Sequence, residues 1–129
     1  MQKNGSTVNT GALVLLEPDD DVRDAMQALL GAQGWQVEST LEAQALAKLL
    51  QGKNIAAVIS EASLPGCQAS EILRLCTAQN IPLIFTGHDL PAQAAVDLIR
   101  QGADDYLEKP FSRTRLLDLL NQFTGRQTK

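Results

Sequence analysis

Ile55-Ala56-Ala57-Val58-Ile59-Ser60, ending in Glu61, is the stretch whose reading decides the fold. Five of its first six residues are apolar, three of these are β-branched, and no charge interrupts them. A strand with one wet face alternates apolar and polar residues. An unbroken apolar run, bounded by Lys53-Asn54 and by Leu64-Pro65-Gly66, instead predicts a strand buried on both faces at the centre of a parallel sheet. Glu61 then stands at the carboxyl edge of that strand, where open α/β sheets place their chemistry.

Outward from this run, strands and helices alternate. Ala12 to Leu16 is another charge-free buried strand, closed by Glu17-Pro18 because proline cannot donate to a ladder. Asp20 or Asp21 can cap the helix that follows, the run Asp19-Asp20-Asp21 being most simply a capping cluster, and that helix carries Val22, Ala25, Met26, Leu29 and Leu30 on one face and ends at Gly31 and Gly34. Trp35 to Thr40 reads as a more exposed strand. A helix over about 41–50 presents Ala43, Leu46, Leu49 and Leu50, and Gly52 stops it. After the central strand, Ser70 can cap a short helix bearing Ile72, Leu73 and Cys76. Ile81 to Phe85 is a fourth strand. Its helix, about 91–101, is predicted to bury Ala92, Ala95, Val96 and Ile99, with Gly102 as its C′ residue. Asp105 to Glu108 is a short fifth strand. Ser112 caps a last helix with Leu116, Leu119, Leu120 and Phe123 on one face.

Five strand–helix units in strict alternation predict an α/β three-layer sandwich: a five-stranded parallel sheet with helices on both faces and right-handed crossovers. The flavodoxin-like (βα)5 order 2-1-3-4-5 is favoured, because it puts the two most polar strands at the edges. The expected domain spans 12–124. A loose tail precedes it over 1–11, and 125–129 form a second tail or the start of a linker.

Composition narrows the function. The chain has 129 residues, 44% of them apolar, and a net charge of −4. One domain with a sizeable core fits that length. No basic stripe is present, which argues against direct nucleic-acid binding. No apolar stretch reaches the roughly 20 residues of a membrane span, no signal-peptide core appears near Met1, and the expected location is cytoplasmic. Cys67 and Cys76 read as reduced thiols, not as a disulfide or metal framework. A flavin or nucleotide site would need a glycine-rich phosphate loop after the first strand, and none is there. His88 reads as a solvated loop residue, and Trp35 as packing at the pole away from the strand ends.

The strand ends themselves make a constellation. Glu17 and Asp19 follow the first strand, Glu61 ends the third, Thr86 the fourth, and Lys109-Pro110 the fifth. Carboxylates, a hydroxyl and an ammonium converging on one cleft are the parts of a phosphoryl-transfer pocket.

These residues resemble the receiver domain of two-component response regulators over roughly 12–124. Gly102-Ala103-Asp104-Asp105-Tyr106-Leu107-Glu108-Lys109-Pro110-Phe111 is similar to that family's GA-DDYL-KPF segment. Pro82-Leu83-Ile84-Phe85-Thr86 is similar to its fourth strand and switch threonine, Leu64-Pro65-Gly66 to its MPG turn, and Gly34-Trp35 to its lead-in to the second strand. The resemblance implies a phosphorelay signalling module that is not an enzyme. Thr86 would be the switch hydroxyl, Tyr106 the aromatic that reports it, and Lys109 the ammonium. The implied partners are a histidine kinase, and an output domain, protein partner or second copy on the face built by the fourth helix, fifth strand and fifth helix. Arg100, Asp104, Arg113 and Arg115 lie on or near that face.

The departures fall at the chemistry. The family's phosphoacceptor is an aspartate four residues before the turn proline; here that position is Glu61. The family's first strand ends in two adjacent acids, the second a magnesium ligand; aligned on Val22-Arg23, they are Glu17 and Pro18. A register using Asp19-Asp20 restores two acids but shortens the loop. Glutamate carries its carboxylate farther out by one C–C bond of about 1.5 Å. In phosphoryl transfer a misplacement of about 1 Å can cost on the order of 100-fold. Two readings remain open: Glu61 fills the space of a phosphoryl group and fixes the domain in a phosphorylation-independent state, or Glu61–Lys109 is only a structural ion pair. A working phosphoacceptor is the alternative. No cofactor is assigned, and magnesium binding is expected to be weak or absent.

Overall fold

The computed structural model describes residues 11–125. Its elements, in chain order, are β1 (Ala12–Leu16), α1 (Asp20–Ala32), β2 (Gln36–Ser39), α2 (Ala43–Gly52), β3 (Ile55–Glu61), α3 (Ala69–Ala78), β4 (Leu83–Gly87), α4 (Ala92–Arg100), β5 (Asp105–Glu108) and α5 (Arg113–Thr124). All strand pairs are parallel, in the order β2-β1-β3-β4-β5. The expected α/β architecture and strand order are therefore observed. Apart from Gly11 and Gly125, the expected tails lie outside the described residues.

Alternation along the strands builds two cores, one on each face of the sheet. Leu13 and Leu15 of β1 pack with Ile59, Ile84 and Leu107 against Met26 and Leu30 of α1 and Leu116, Leu119 and Leu120 of α5. Val14 and Leu16 pack with Val58, Leu83 and Phe85 against Leu46 and Leu50 of α2 and Ile72, Leu73 and Cys76 of α3. Trp35 is buried with the first cluster, just ahead of the half-exposed β2.

Several local expectations are corrected. Asp19, not Asp20 or Asp21, caps α1: its Oδ1 accepts from Val22 N at 3.1 Å. Helix α1 runs through Gly31 to Ala32, and α2 includes Gly52. Gln68 precedes α3, so Ser70 lies inside the helix and does not cap it. Ser112 does cap α5, accepting from Arg115 N at 3.0 Å. Strand β4 begins at Leu83, beyond Pro82, and runs on to Gly87, which places Thr86 inside the ladder beside Glu61 and Leu107.

The largest correction is α4, which buries none of its residues fully. Ala92, Val96 and Ile99 face outward, the last two 41% and 43% exposed, while Leu98 packs inward on the core. Sequence periodicity identifies an apolar stripe but not which side of the helix the sheet takes. Small Ala94 and Ala95 complete the half-buried side here, and the stripe of larger residues is left uncovered.

Candidate functional site

The carboxyl ends of β1, β3 and β5 bring together Glu17, Glu61 and Lys109. Each arrives for a local reason. Glu17 follows the last buried residue of β1, and its side chain is held by its own loop: Oε2 accepts from Asp19 N at 3.0 Å. The loop is tied down again by Arg23, whose guanidinium donates to the Glu17 carbonyl at 3.1 Å and pairs with Asp20. Glu61 is the last residue of β3, paired with Thr86 of β4, and the next amide, Ala62 N, donates to the Thr86 carbonyl at 2.8 Å. Lys109 follows β5, its amide donating to the Gly87 carbonyl at 2.7 Å, and a cis peptide joins it to Pro110.

At the centre sits one shared cation. Lys109 Nζ donates to Glu17 Oε1 at 2.6 Å and to Glu61 Oε1 at 2.5 Å. Both carboxylates are buried, at 1% and 8% exposure, and the Lys109 side chain is 16% exposed. Charge-assisted hydrogen bonds of this length are the strong kind. Burial by itself pulls the Lys109 ammonium downward in pKa, but hydrogen bonds and charge from Glu17 and Glu61 outweigh it, and the net direction is upward. Lys109 is therefore held as a cation.

The donor set does not suit a divalent ion as arranged. Such an ion needs several oxygens free to turn towards it. Glu17 gives one oxygen to Lys109 and the other to Asp19 N; Glu61 gives one to Lys109 and the other to Ser63 N at 3.3 Å. Pro18 has no side-chain donor. Asp19 is exposed, and its carboxylate is engaged at the N-terminus of α1. Among the described residues, no three histidine, cysteine or acidic side chains cluster as ligands.

The other residues singled out in the sequence divide. Thr86 is buried in β4 next to Glu61. Tyr106 lies on the α4 side of the sheet, and its hydroxyl donates to Glu108 Oε1 at 3.0 Å. Burial first, then the bond and charge of Glu108, push the Tyr106 phenol up to about 12. Of Arg100, Asp104, Arg113 and Arg115, two have intrachain hydrogen-bond or ion-pair partners that bear on the face. Asp104 Oδ2 accepts from Leu83 N at 2.8 Å, and Arg115 pairs with Asp105 at 3.7 Å.

Gly87, Glu108 and Arg23 carry no site role in the sequence analysis. Glu108 was detectable: it lies two residues from Tyr106 on a strand and so shares its face.

Residues 13–121 match the response regulator receiver domain family. The chain belongs to this family. It is 36% identical over 114 residues to the transcriptional regulatory protein FixJ of Bradyrhizobium diazoefficiens, covering 85% of this chain and 55% of that protein. It is 31% identical over 110 residues to the response regulator protein FleR of Pseudomonas aeruginosa, covering 84% of this chain and 23% of FleR. Among solved structures, full-length FixJ from B. japonicum superposes with a TM-score of 0.78 at 29% identity, covering 89% of this chain and 58% of that one. The chain thus spans about half the length of FixJ and a quarter of FleR. Receiver domains are signalling modules that work with kinases and output domains. No helix among the described residues is long and apolar enough to cross a membrane.

Proposed function

We propose that this receiver domain signals without being phosphorylated, and that it acts through protein contacts on the face formed by α4, β5 and α5. One observation carries the reading: the Lys109 ammonium is shared between Glu17 and Glu61 at 2.6 and 2.5 Å. In this arrangement the cation that would meet a phosphoryl oxygen already has two anionic partners. The carboxylate at the acceptor position is occupied as well, so it is not aimed at an incoming phosphorus. Glu61 supplies one charge and two oxygens, against nearly two charges and three oxygens for a phosphoryl group. It therefore acts as a permanent, weaker occupant of that space. The contact face is supported by the uncovered stripe of Val96 and Ile99. Partner candidates are an output domain, another protein of the pathway or a second copy of the chain.

The test is a magnesium titration followed by amide NMR, with a beryllofluoride phosphoryl analogue added afterwards. The expected result is no saturable shift at Glu61, Thr86 or Lys109. Saturable, co-operative shifts at these residues would favour a working phosphoacceptor served by a histidine kinase, and the proposal would be withdrawn. Glu61→Asp combined with Pro18→Asp is expected to create the magnesium response that the parent chain lacks.

A further inference from the structure

Strands β4 and β5 pair in the register Phe85 with Tyr106 and Gly87 with Glu108. Paired residues on parallel strands share a face, so Tyr106, Glu108 and the bare Cα of Gly87 lie together on the α4 side. The Tyr106 ring occupies the room a side chain at 87 would take. A Cβ built on Gly87 would lie 2.4 Å from the phenolic oxygen and 2.9 and 3.0 Å from ring carbons. With the ring folded there, its hydroxyl reaches Glu108 Oε1 at 3.0 Å. The other oxygen of the same carboxylate accepts from Asp89 N, also at 3.0 Å. Asp89 has φ +61°, a left-handed conformation uncommon for a residue with a side chain. It sits in the loop of residues 88–91 that leads from β4 into α4.

We propose that Glu108 is a positioning residue, a two-oxygen latch that fastens the Tyr106 phenol to the β4–α4 loop and thereby sets where α4 presents its outer stripe. One carboxylate bridges two donors on different segments, and neither donor is held by a helix or a ladder bond at that atom. Without Glu108, the Tyr106 hydroxyl and the Asp89 amide lose the hydrogen bonds that join them through one carboxylate, and the ring keeps only its packing on the core. The titration directions agree with a closed latch. Glu108 is held below the usual carboxylate range, first by the Asp89 amide and then by the Tyr106 hydroxyl. The groups facing Tyr106 are Glu108, Glu61 and Asp89, with His88 beside Asp89 at 3.2 Å. Glu108 is also the residue immediately before Lys109, so the latch and the buried ion cluster are adjacent in the chain. The significance of α4's position rests on the proposed contact face; the latch itself does not.

The chain has a single tyrosine, which makes the test clean. Three variants, Glu108→Ala, Glu108→Gln and Tyr106→Phe, are compared with the parent by NMR at neutral pH. Glu108→Ala is expected to speed hydrogen exchange at the Asp89 amide by on the order of tenfold, the effect of losing one bond to a charged acceptor. It is also expected to weaken the nuclear Overhauser contact between the Tyr106 ring and Gly87 Hα, and to shift the Val96 and Ile99 methyl signals. Glu108→Gln keeps one acceptor oxygen and should fall between. Tyr106→Phe removes only the hydroxyl, leaves the core contacts intact, and should loosen Asp89 partially. Parent-like exchange and ring contacts in Glu108→Ala would show that no latch exists. Altered exchange with unmoved Val96 and Ile99 methyls would show that the latch does not reach α4, which also overturns the proposal. No readout involves magnesium, phosphoryl transfer or a partner, so the proposed function can fail while the latch stands, and the reverse.

Discussion

Replacing Lys109 with methionine keeps a straight side chain of similar length and deletes the shared cation. The two carboxylate oxygens it holds lie no farther apart than the two contacts end to end, 5.1 Å. Two unit charges at that separation repel by about 3 kcal/mol at an effective dielectric near 20. Removing one partner of a buried pair typically costs about 3–5 kcal/mol, because the remaining charge is left uncompensated. Both routes give a penalty of roughly 3–5 kcal/mol for Lys109→Met at neutral pH. With a urea slope of about 1.5 kcal/mol per molar, the unfolding midpoint should fall by about 2–3 M. A urea midpoint within about 0.5 M of the parent would refute the reasoning, because the two carboxylates would have to be solvated and independent.

Three other outcomes are expected. In the parent chain, the folded pKa values of Lys109 and Tyr106 are both raised, the phenol to about 12. Their contribution is fully present below the unfolded values of about 10, and is lost as pH rises through the folded ones. Melting temperature by circular dichroism should decline above about pH 10, and a flat profile there would contradict both assignments. Gly87→Ala should destabilise the fold by about 1–3 kcal/mol through collision with the Tyr106 ring. That penalty should shrink when Tyr106→Ala is added, whereas simple additivity would mean the ring lies elsewhere. Asp19→Ala should cost about 1 kcal/mol and Asp19→Asn much less, because either oxygen side chain can cap α1. Equal losses in thermal melts would point to a role for the Asp19 charge beyond capping.

The fold was legible because its signals are local and repeated. Unbroken apolar runs at 12–16 and 55–59, short and rich in β-branched residues, read as strands covered on both faces, and helices between them imply parallel crossovers. Element ends were less legible. Asp19, Asp20 and Asp21 are equally able to cap by type, and backbone geometry chose Asp19. The stripe on α4 was visible, but its direction was not. A hydrophobic pattern reports which residues share a side, and only packing against the sheet decides which side is covered.

The candidate site divides in the same way. By itself the sequence determined that Glu17, Glu61, Thr86 and Lys109 end up at one edge, because strand ends in a parallel sheet are neighbours whatever their separation along the chain. Only the tertiary structure decided that Lys109 bridges both glutamates, and that Asp19 spends its carboxylate on a helix. The same holds for Tyr106, which turns over Gly87 to meet Glu108. Residue type and spacing fix which groups can meet. Which oxygen each donor takes is a competition among partners a few ångströms apart, settled by side-chain reach, burial and the room left by a missing Cβ.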